Sequence, residues 1–157
     1  MAAGPAELRL RPYRPSDCPA LLRLFYETVH TACAGEYSPA QLDAWADGRP
    51  DAGAWNRSLL SQDAWVAEWA HIPAGFADQD DTGYLDRLYV HPRFQRRGIA
   101  SALCDQLERR STAAVLTVHA SITARPFFER RGYTLIRPQW VERHGILLQN
   151  FVMQKTR

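Results

Sequence analysis

The sequence predicts one mixed α/β domain spanning residues 1–157, and three observations predict it. Its 157 residues are 46% apolar, enough to bury one sizeable core and too few for two. Helix-period and strand-period segments alternate along the chain without a long polar gap, as one layered structure requires. No internal repeat, low-complexity tract or linker interrupts them.

The elements follow in order. ELRLR, residues 7–11, alternates as a first strand, and Ser16 is expected to cap a helix through ALLRLFYETVHTA with Leu21, Leu24, Phe25, Thr28 and Val29 on one face. Ser38, Pro39 and Gln41 form a capping box with proline at the first helical position, starting a short helix that ends by Gly48. A further helix is expected over residues 54–60. AWVAEWA, GFADQ and YLDRLYV then read as three strands, with turns at residues 71–74 and 80–83. Leu85, Leu88 and Val90 break strict alternation, which a β-bulge in the third of these strands would explain. A helix after Gly98, a strand at 114–118, a helix from Thr123 to Gly132 and a hairpin turning at His144 and Gly145 complete the chain.

Composition excludes several function classes. The formal charge is only +2, Lys155 is the sole lysine, and acidic residues are interspersed with the arginines, which argues against a nucleic-acid partner. No run is long and apolar enough to span a membrane, and MAAGPAE lacks a secretion signal, so a cytoplasmic protein is expected. Cys18, Cys33 and Cys104 are odd in number and widely spaced, so buried free thiols are expected rather than disulfides. Five scattered histidines without i, i+4 pairing suggest no metal site.

The most informative stretch is QRRGIA, residues 95–100, where the apolar strand Leu88–Val90 gives way to helix-forming ASALCDQLERR. Gly98 removes a Cβ and Ala100 keeps the first helical turn thin, so several N–H groups can converge on a diphosphate, with Arg93, Arg96 and Arg97 adding charge. No Walker-type loop or early G-x-G-x-x-G competes with this reading.

LYVHPRFQRRGIASALCDQLE as a whole resembles the acetyl-CoA motif of the GNAT superfamily of N-acetyltransferases, with Pro92, Gln95, Gly98 and Ala100 at the matching places. LTVHASITARPFFERRGY is similar to the family's next strand and helix, matched at Ala124, Phe127, Phe128, Gly132 and Tyr133. YSPAQLDAW, ASITARPFFERRGY and VERHGILLQNF resemble the bacterial YafP-like branch most. The resemblance implies a mostly antiparallel twisted sheet of about seven strands, flanked by helices, with a splayed central pair that admits the pantetheine arm. It implies acetyl transfer from acetyl-CoA to a primary amine, most simply of a small molecule, without a metal.

On that reading, Leu88, Tyr89 and Val90 pair with pantetheine through their main chain. The segment Gln95, Arg96, Arg97, Gly98, Ile99, Ala100 and Ser101 takes the diphosphate, while Ser121, Ala124, Phe127 and Phe128 complete the donor site. The family's usual proton-donating tyrosine falls on Phe128, leaving Ser121 or Tyr133 as substitutes, with Tyr133 more readily core. Asp86, Glu142 and Tyr37 are the candidates for the amine's proton, Asp86 first. Asp86 can equally be a solvent-facing or Arg87-paired carboxylate. His119, at a strand end opposite the wedge, reads as a hydrogen-bonded structural histidine rather than a base. Tyr37, Ser38, Gln41, Trp45 and Trp140 are the candidate acceptor pocket, an aromatic set able to stack on a ring or cradle a cation. Phe128 keeps a second function open, an acyl-CoA-binding regulatory module with little or no transfer. The strand edge of the last hairpin leaves room for a homodimer.

Overall fold

The alternation of Leu8 and Leu10 with Arg9 and Arg11 opens the fold as strand β1, Leu8–Pro12, in a computed structural model that describes residues 7–157. Helices α1 (Cys18–Ala32), α2 (Pro39–Trp45) and α3 (Ala52–Ser61) follow, then strands β2 (Asp63–Trp69), β3 (Ile72–Gln79) and β4 (Tyr84–Val90). Helix α4 (Ile99–Arg110), strand β5 (Val115–Ser121), helix α5 (Arg125–Arg130) and strands β6 (Thr134–Arg143) and β7 (Ile146–Thr156) close the chain. The first six residues, which carry most of the expected absence of a secretion signal, lie outside the described residues. No described helix is long and apolar enough to cross a membrane.

The seven strands form one sheet in the order β1-β2-β3-β4-β5-β7-β6, antiparallel throughout except for the parallel β4–β5 pair. Strand alternation divides the core. Val66 and Phe76 pack with Leu21, Leu24 and Leu59 of α1 and α3 on one face, while Ala67, Ala77 and Leu85 meet Ile99, Leu103 and Leu107 of α4 and Phe128 of α5 on the other. A third cluster joins Val29, Tyr37 and Leu42 to Leu148 of β7. Cys18, Cys33 and Cys104 are free and buried.

Two features of β4 make the site possible. Asp78 pairs with Arg87 and Gln79 with Leu85, so Asp86 is the extra residue of a bulge, as the broken alternation implied. Toward β5, β4 pairs only at Tyr84↔Thr117 and Leu85↔Val118, after which the two strands separate. The main-chain groups that β4 turns toward β5 beyond Leu85 therefore have no strand partner.

Two local expectations are corrected. Ser16 caps nothing: residues Pro15–Asp17 form a 3-10 turn before α1. The Asp17 carboxylate, held by Arg11 at 2.7 and 2.8 Å, accepts the Arg14 N–H at 3.0 Å. A bidentate charge-assisted pair outcompetes a serine hydroxyl there. Between β2 and β3 the turn is only Ala70 and His71, both at positive φ (48° and 69°), and β3 starts at Ile72. Pro73 hid these first residues; it sits beside a bulge that leaves Ala74 unpaired between Glu68↔Pro73 and Ala67↔Gly75.

Candidate active site

The strand-to-helix turn after β4 presents main-chain N–H groups at a helix start, an arrangement able to hold an anion. Gly98 caps α4 at φ 76°, with no side chain capping the helix, and a Cβ placed there would meet nothing within 4 Å. The first N–H groups of α4, at Ile99, Ala100 and Ser101, have no partner within the helix and lie at its positive end. Gln95 steadies the loop by donating from Nε2 to the Val90 carbonyl at 2.8 Å. In front of these groups, running between the separated β4 and β5, is a cavity of about 600 Å³.

That cavity gathers Leu88, Tyr89, Val90, Gln95, Arg96, Gly98, Ile99, Ala100 and Ser101 from one side, and Ser121, Ala124, Phe127 and Phe128 from the other. Arg93, which does not line the cavity, and Arg97 are the exceptions among the residues expected here. The Arg97 guanidinium lies over the rings of Trp69 (5.0 Å) and Phe94 (5.4 Å), outside the cavity.

A second cavity of about 320 Å³ lies on the α1–α3 side of the sheet and meets the first at Trp45, Asp86, Tyr89, His119 and Ser121. Its walls are aromatic, with Phe25, Trp45, Trp55 and Tyr84, and its floor is polar, with Arg87, Gln149 and Asn150. The Asn150 Oδ1 is buried without a hydrogen-bond partner. A third cavity of about 660 Å³, between α1 and the α2–α3 loop, continues from it past Phe25, Trp45 and Trp55.

Asp86 reaches the junction of the first two cavities because the bulge turns it out of the ladder. Its Oδ2 accepts from Gln62 Nε2 at 3.2 Å and lies 3.7 Å from Arg87. Behind it Asp78, fully buried, also takes Gln62 (2.6 Å) and pairs with Arg87. Burial pushes the Asp78 carboxyl up to about 6, against the opposing pull of Arg87. Ser121 lines both cavities, and its Oγ accepts the Ala124 N–H at 3.0 Å.

The other expected acceptor and catalytic residues divide sharply. Tyr37 lines the second cavity but is buried, donating to the Gln149 carbonyl at 2.7 Å and accepting the Ile122 N–H at 2.9 Å. Its proton is therefore committed to the frame, and burial raises its pKa. Ser38 and Gln41 are occupied in their capping box, and Gln41 Nε2 also donates to the Leu147 carbonyl at 3.0 Å; they hold α2 to β7 rather than line a cavity. Trp140 and Glu142 are exposed on β6 and line none of the three cavities. Val141 and Arg143 point into the second cavity, so alternation turns their neighbours away. Trp45 lines all three cavities and donates from Nε1 to the Tyr89 hydroxyl at 3.3 Å.

A family model for the acetyltransferase (GNAT) domain matches residues 33–155. N-acetyltransferase YafP of Escherichia coli K12, itself described as uncharacterised, is 39% identical over 147 residues, 94% of this chain and 95% of its own. This chain belongs to the GNAT acetyltransferase family. A GCN5-related N-acetyltransferase from Rhodopseudomonas palustris, also called "Aminotransferase, Class-II", superposes with a TM-score of 0.94 at 32% identity, covering 100% of this chain and 99% of that one. The fold is shared more widely. YncA of Salmonella typhimurium, titled a putative acetyltransferase with its cofactor acetyl-CoA, gives a TM-score of 0.69 at 22% identity over 96% of this chain and 94% of its own.

In this GNAT chain, Phe128 is 2% exposed and packs edge-on against Phe127 and Tyr133, so no hydroxyl is offered from that position. The Tyr133 hydroxyl belongs to the α4-side core, and its pKa is raised by burial. Sequence reasoning missed Trp55, Tyr84, Arg143 and Asn150, which come together only through the sheet, and read His119, which joins them, as structural.

Proposed function

We propose that the protein transfers an acetyl group from acetyl-CoA to a primary amine of a small molecule, by direct attack within a ternary complex. The observation that carries this reading is the meeting of a donor-sized cavity and an aromatic acceptor cavity at the mouth of the β4–β5 splay, with Asp86 on the junction. The N–H groups of Ile99, Ala100 and Ser101 and the Arg96 side chain hold the diphosphate, and the unpaired edge formed by Leu88, Tyr89 and Val90 takes pantetheine as an added strand. Ala124, Phe127 and Phe128 wall the arm, and Ser121 presents its hydroxyl beside the reacting centre.

Positioning supplies most of the catalysis, worth roughly 7 to 11 kcal/mol in well-oriented systems. The amine nitrogen attacks the thioester carbon, the C–S bond breaks, and the thiolate departs. A thiol with a pKa of about 8.5 is a tolerable leaving group near neutrality, so Phe128 does not forbid turnover. Asp86 draws the ammonium to the junction by its charge and accepts one of its protons, directly or through water. Trp45, Trp55 and Phe25 receive the organic part of the acceptor.

Release of free CoA thiol from acetyl-CoA, measured against small amines and short peptides beside calorimetric titration of CoA, tests the reading. Amine-dependent release is expected, greatest with small amines. Phe128 favours a second reading, an acyl-CoA-binding regulatory module, which tight CoA binding without release under any amine would establish. Absence of CoA binding would remove both.

A further inference from the structure

The last paired residues of β4 and β5 are Leu85 and Val118, so Asp86 and His119 are the first residues on either side of the opening. Both line the donor cavity and the acceptor cavity. The His119 side chain makes no hydrogen bond among the described residues, contrary to the structural role its strand position suggested; it rests edge-on against the Tyr84 ring at 5.0 Å. An imidazole with both ring nitrogens uncommitted, at the one place that touches both substrate sites, is placed to move a proton between them.

We propose that His119 is the proton carrier of the reaction, taking a proton from the attacking amine and giving it to the departing sulfur. The inference rests on the acetyl-transfer reading above. An ammonium must lose two protons to become an amide nitrogen. Asp86 passes one to solvent before attack. As the N–C bond forms and the nitrogen becomes acidic, the second N–H bond breaks and a His119 ring N–H forms. The tetrahedral centre then collapses, the C–S electron pair leaves on sulfur, and the imidazolium returns its proton there. This supplies at the thiolate the proton that Phe128 cannot.

The surroundings suit a neutral imidazole that is charged only in passing. Partial burial and Arg137 of β6 lower its pKa below the ordinary 6.5, and the Asp86 carboxylate opposes them. Tyr84 of β4 faces the ring; Arg87 of β4, Arg143 of β6 and the neutral Ser121 and Asn150 share the acceptor cavity, and Arg130 of α5 lines the donor cavity. Asp86 is the carboxylate among these lining groups, so it is the group that stabilises the transient imidazolium.

The test uses a weakly basic amine, neutral from pH 5 to 8, so that titration of kcat/KM belongs to the protein. In the native protein kcat/KM is expected to fall as pH drops through the His119 titration below 6.5, because protonation removes the acceptor. His119→Gln should lose that limb and about a hundredfold in kcat at neutral pH, with acetyl-CoA KM and CoA affinity unchanged. Asp86→Asn should shift the limb to lower pH, since a charge that holds the pKa up is removed. A His119→Gln protein that keeps the limb, or stays within about threefold of native kcat, overturns the proposal. His119→Asn repeats the measurement should the glutamine protein melt early. The His119 ring proton, followed by NMR without substrate, should titrate below 6.5 and lower still in Asp86→Asn; indifference to Asp86 also overturns it. Lack of thiol release from the native protein with every amine would defeat the transfer reading instead.

Discussion

The proposed donor half and the proposed acceptor half of this molecule are built on opposite plans. The donor site comes almost wholly from one continuous run, Leu88 to Ser101, acting through main-chain groups at a strand edge and a helix start, with a wall from β5 and α5. The acceptor site takes side chains from α1, α2, α3, β4, β5, β6 and β7, with no two neighbouring elements sufficient. A ligand held by main chain can be recognised by any sequence that shapes the backbone suitably, so the donor half is generic. A ligand held by converging side chains is specified by their identities, so specificity for the acceptor belongs to that half.

The strongest way to break the contrast is at Gly98. Gly98→Glu places a carboxylate where the diphosphate is proposed to sit, on a residue at φ 76°. Loss of two charge-assisted contacts, each about 1.5–3 kcal/mol, predicts CoA affinity at least a hundredfold weaker by calorimetry. The left-handed backbone adds about 1–2 kcal/mol of strain, so the melting temperature should fall while the fold survives. Unchanged CoA affinity would show that the cradle lies elsewhere.

The acceptor half stores a cost the donor half lacks, the buried Asp78 beneath Asp86. Its folded pKa of about 6 lies above the ordinary 3.8, so the folded state binds this proton more tightly than the unfolded chain. That contribution is present below about pH 4 and is lost as pH rises through 6, the reverse of the usual carboxylate, and amounts to about 3 kcal/mol at most. Asp17, Asp63, Asp80 and Glu108, whose folded pKa values are lowered, act only at more acidic pH. His119, whose folded pKa is lowered, pulls the other way in the same window, so the Asp78 contribution is read as a difference: between pH 5 and 7 the native melting temperature should decline relative to that of Asp78→Asn. Parallel curves for the two proteins would assign the ionisation elsewhere.

Trp55 sharpens the comparison from the other side, since it lines the acceptor and third cavities but not the donor cavity. Trp55→Leu removes the ring that stacks on the Arg87 guanidinium at 4.8 Å and lines the proposed acceptor cavity. An aromatic–cation contact of about 1–2 kcal/mol predicts an amine KM raised about tenfold with CoA affinity unchanged. A matching loss of CoA affinity would mean that the halves are mechanically joined.

The same division explains what could be read before folding. Gly98 and the bulge in β4 were legible because they are local: a glycine at a strand-to-helix turn and a broken alternation both show in a short window, whereas the tie from Gln95 to the Val90 carbonyl appeared only with the fold. Arg97 misled because charge near a cradle does not fix where a long side chain lies, and here two rings claimed it. Trp140 and Glu142 misled because their side of β6 depends on the hairpin register, and a single step moves a residue to the other face. His119 misled because a hydrogen-bond partner was expected for it, and nothing in LTVHAS says which groups of β4 will face its ring.

The smallest effect decides whether a capping box can also be a binding site. Ser38 accepts the Gln41 N–H at 3.2 Å while Gln41 Oε1 accepts the Ser38 N–H at 2.9 Å, so both side chains are occupied within the helix start. Losing such a cap costs about 1 kcal/mol, which predicts that Ser38→Ala lowers the melting temperature by a few degrees. Because Ser38 lines none of the three cavities, amine KM should stay as it is. A KM that rose with some amines and not others would mean that the start of α2 reaches the acceptor. The acceptor half would then extend to an element whose side chains are now spoken for by their own backbone.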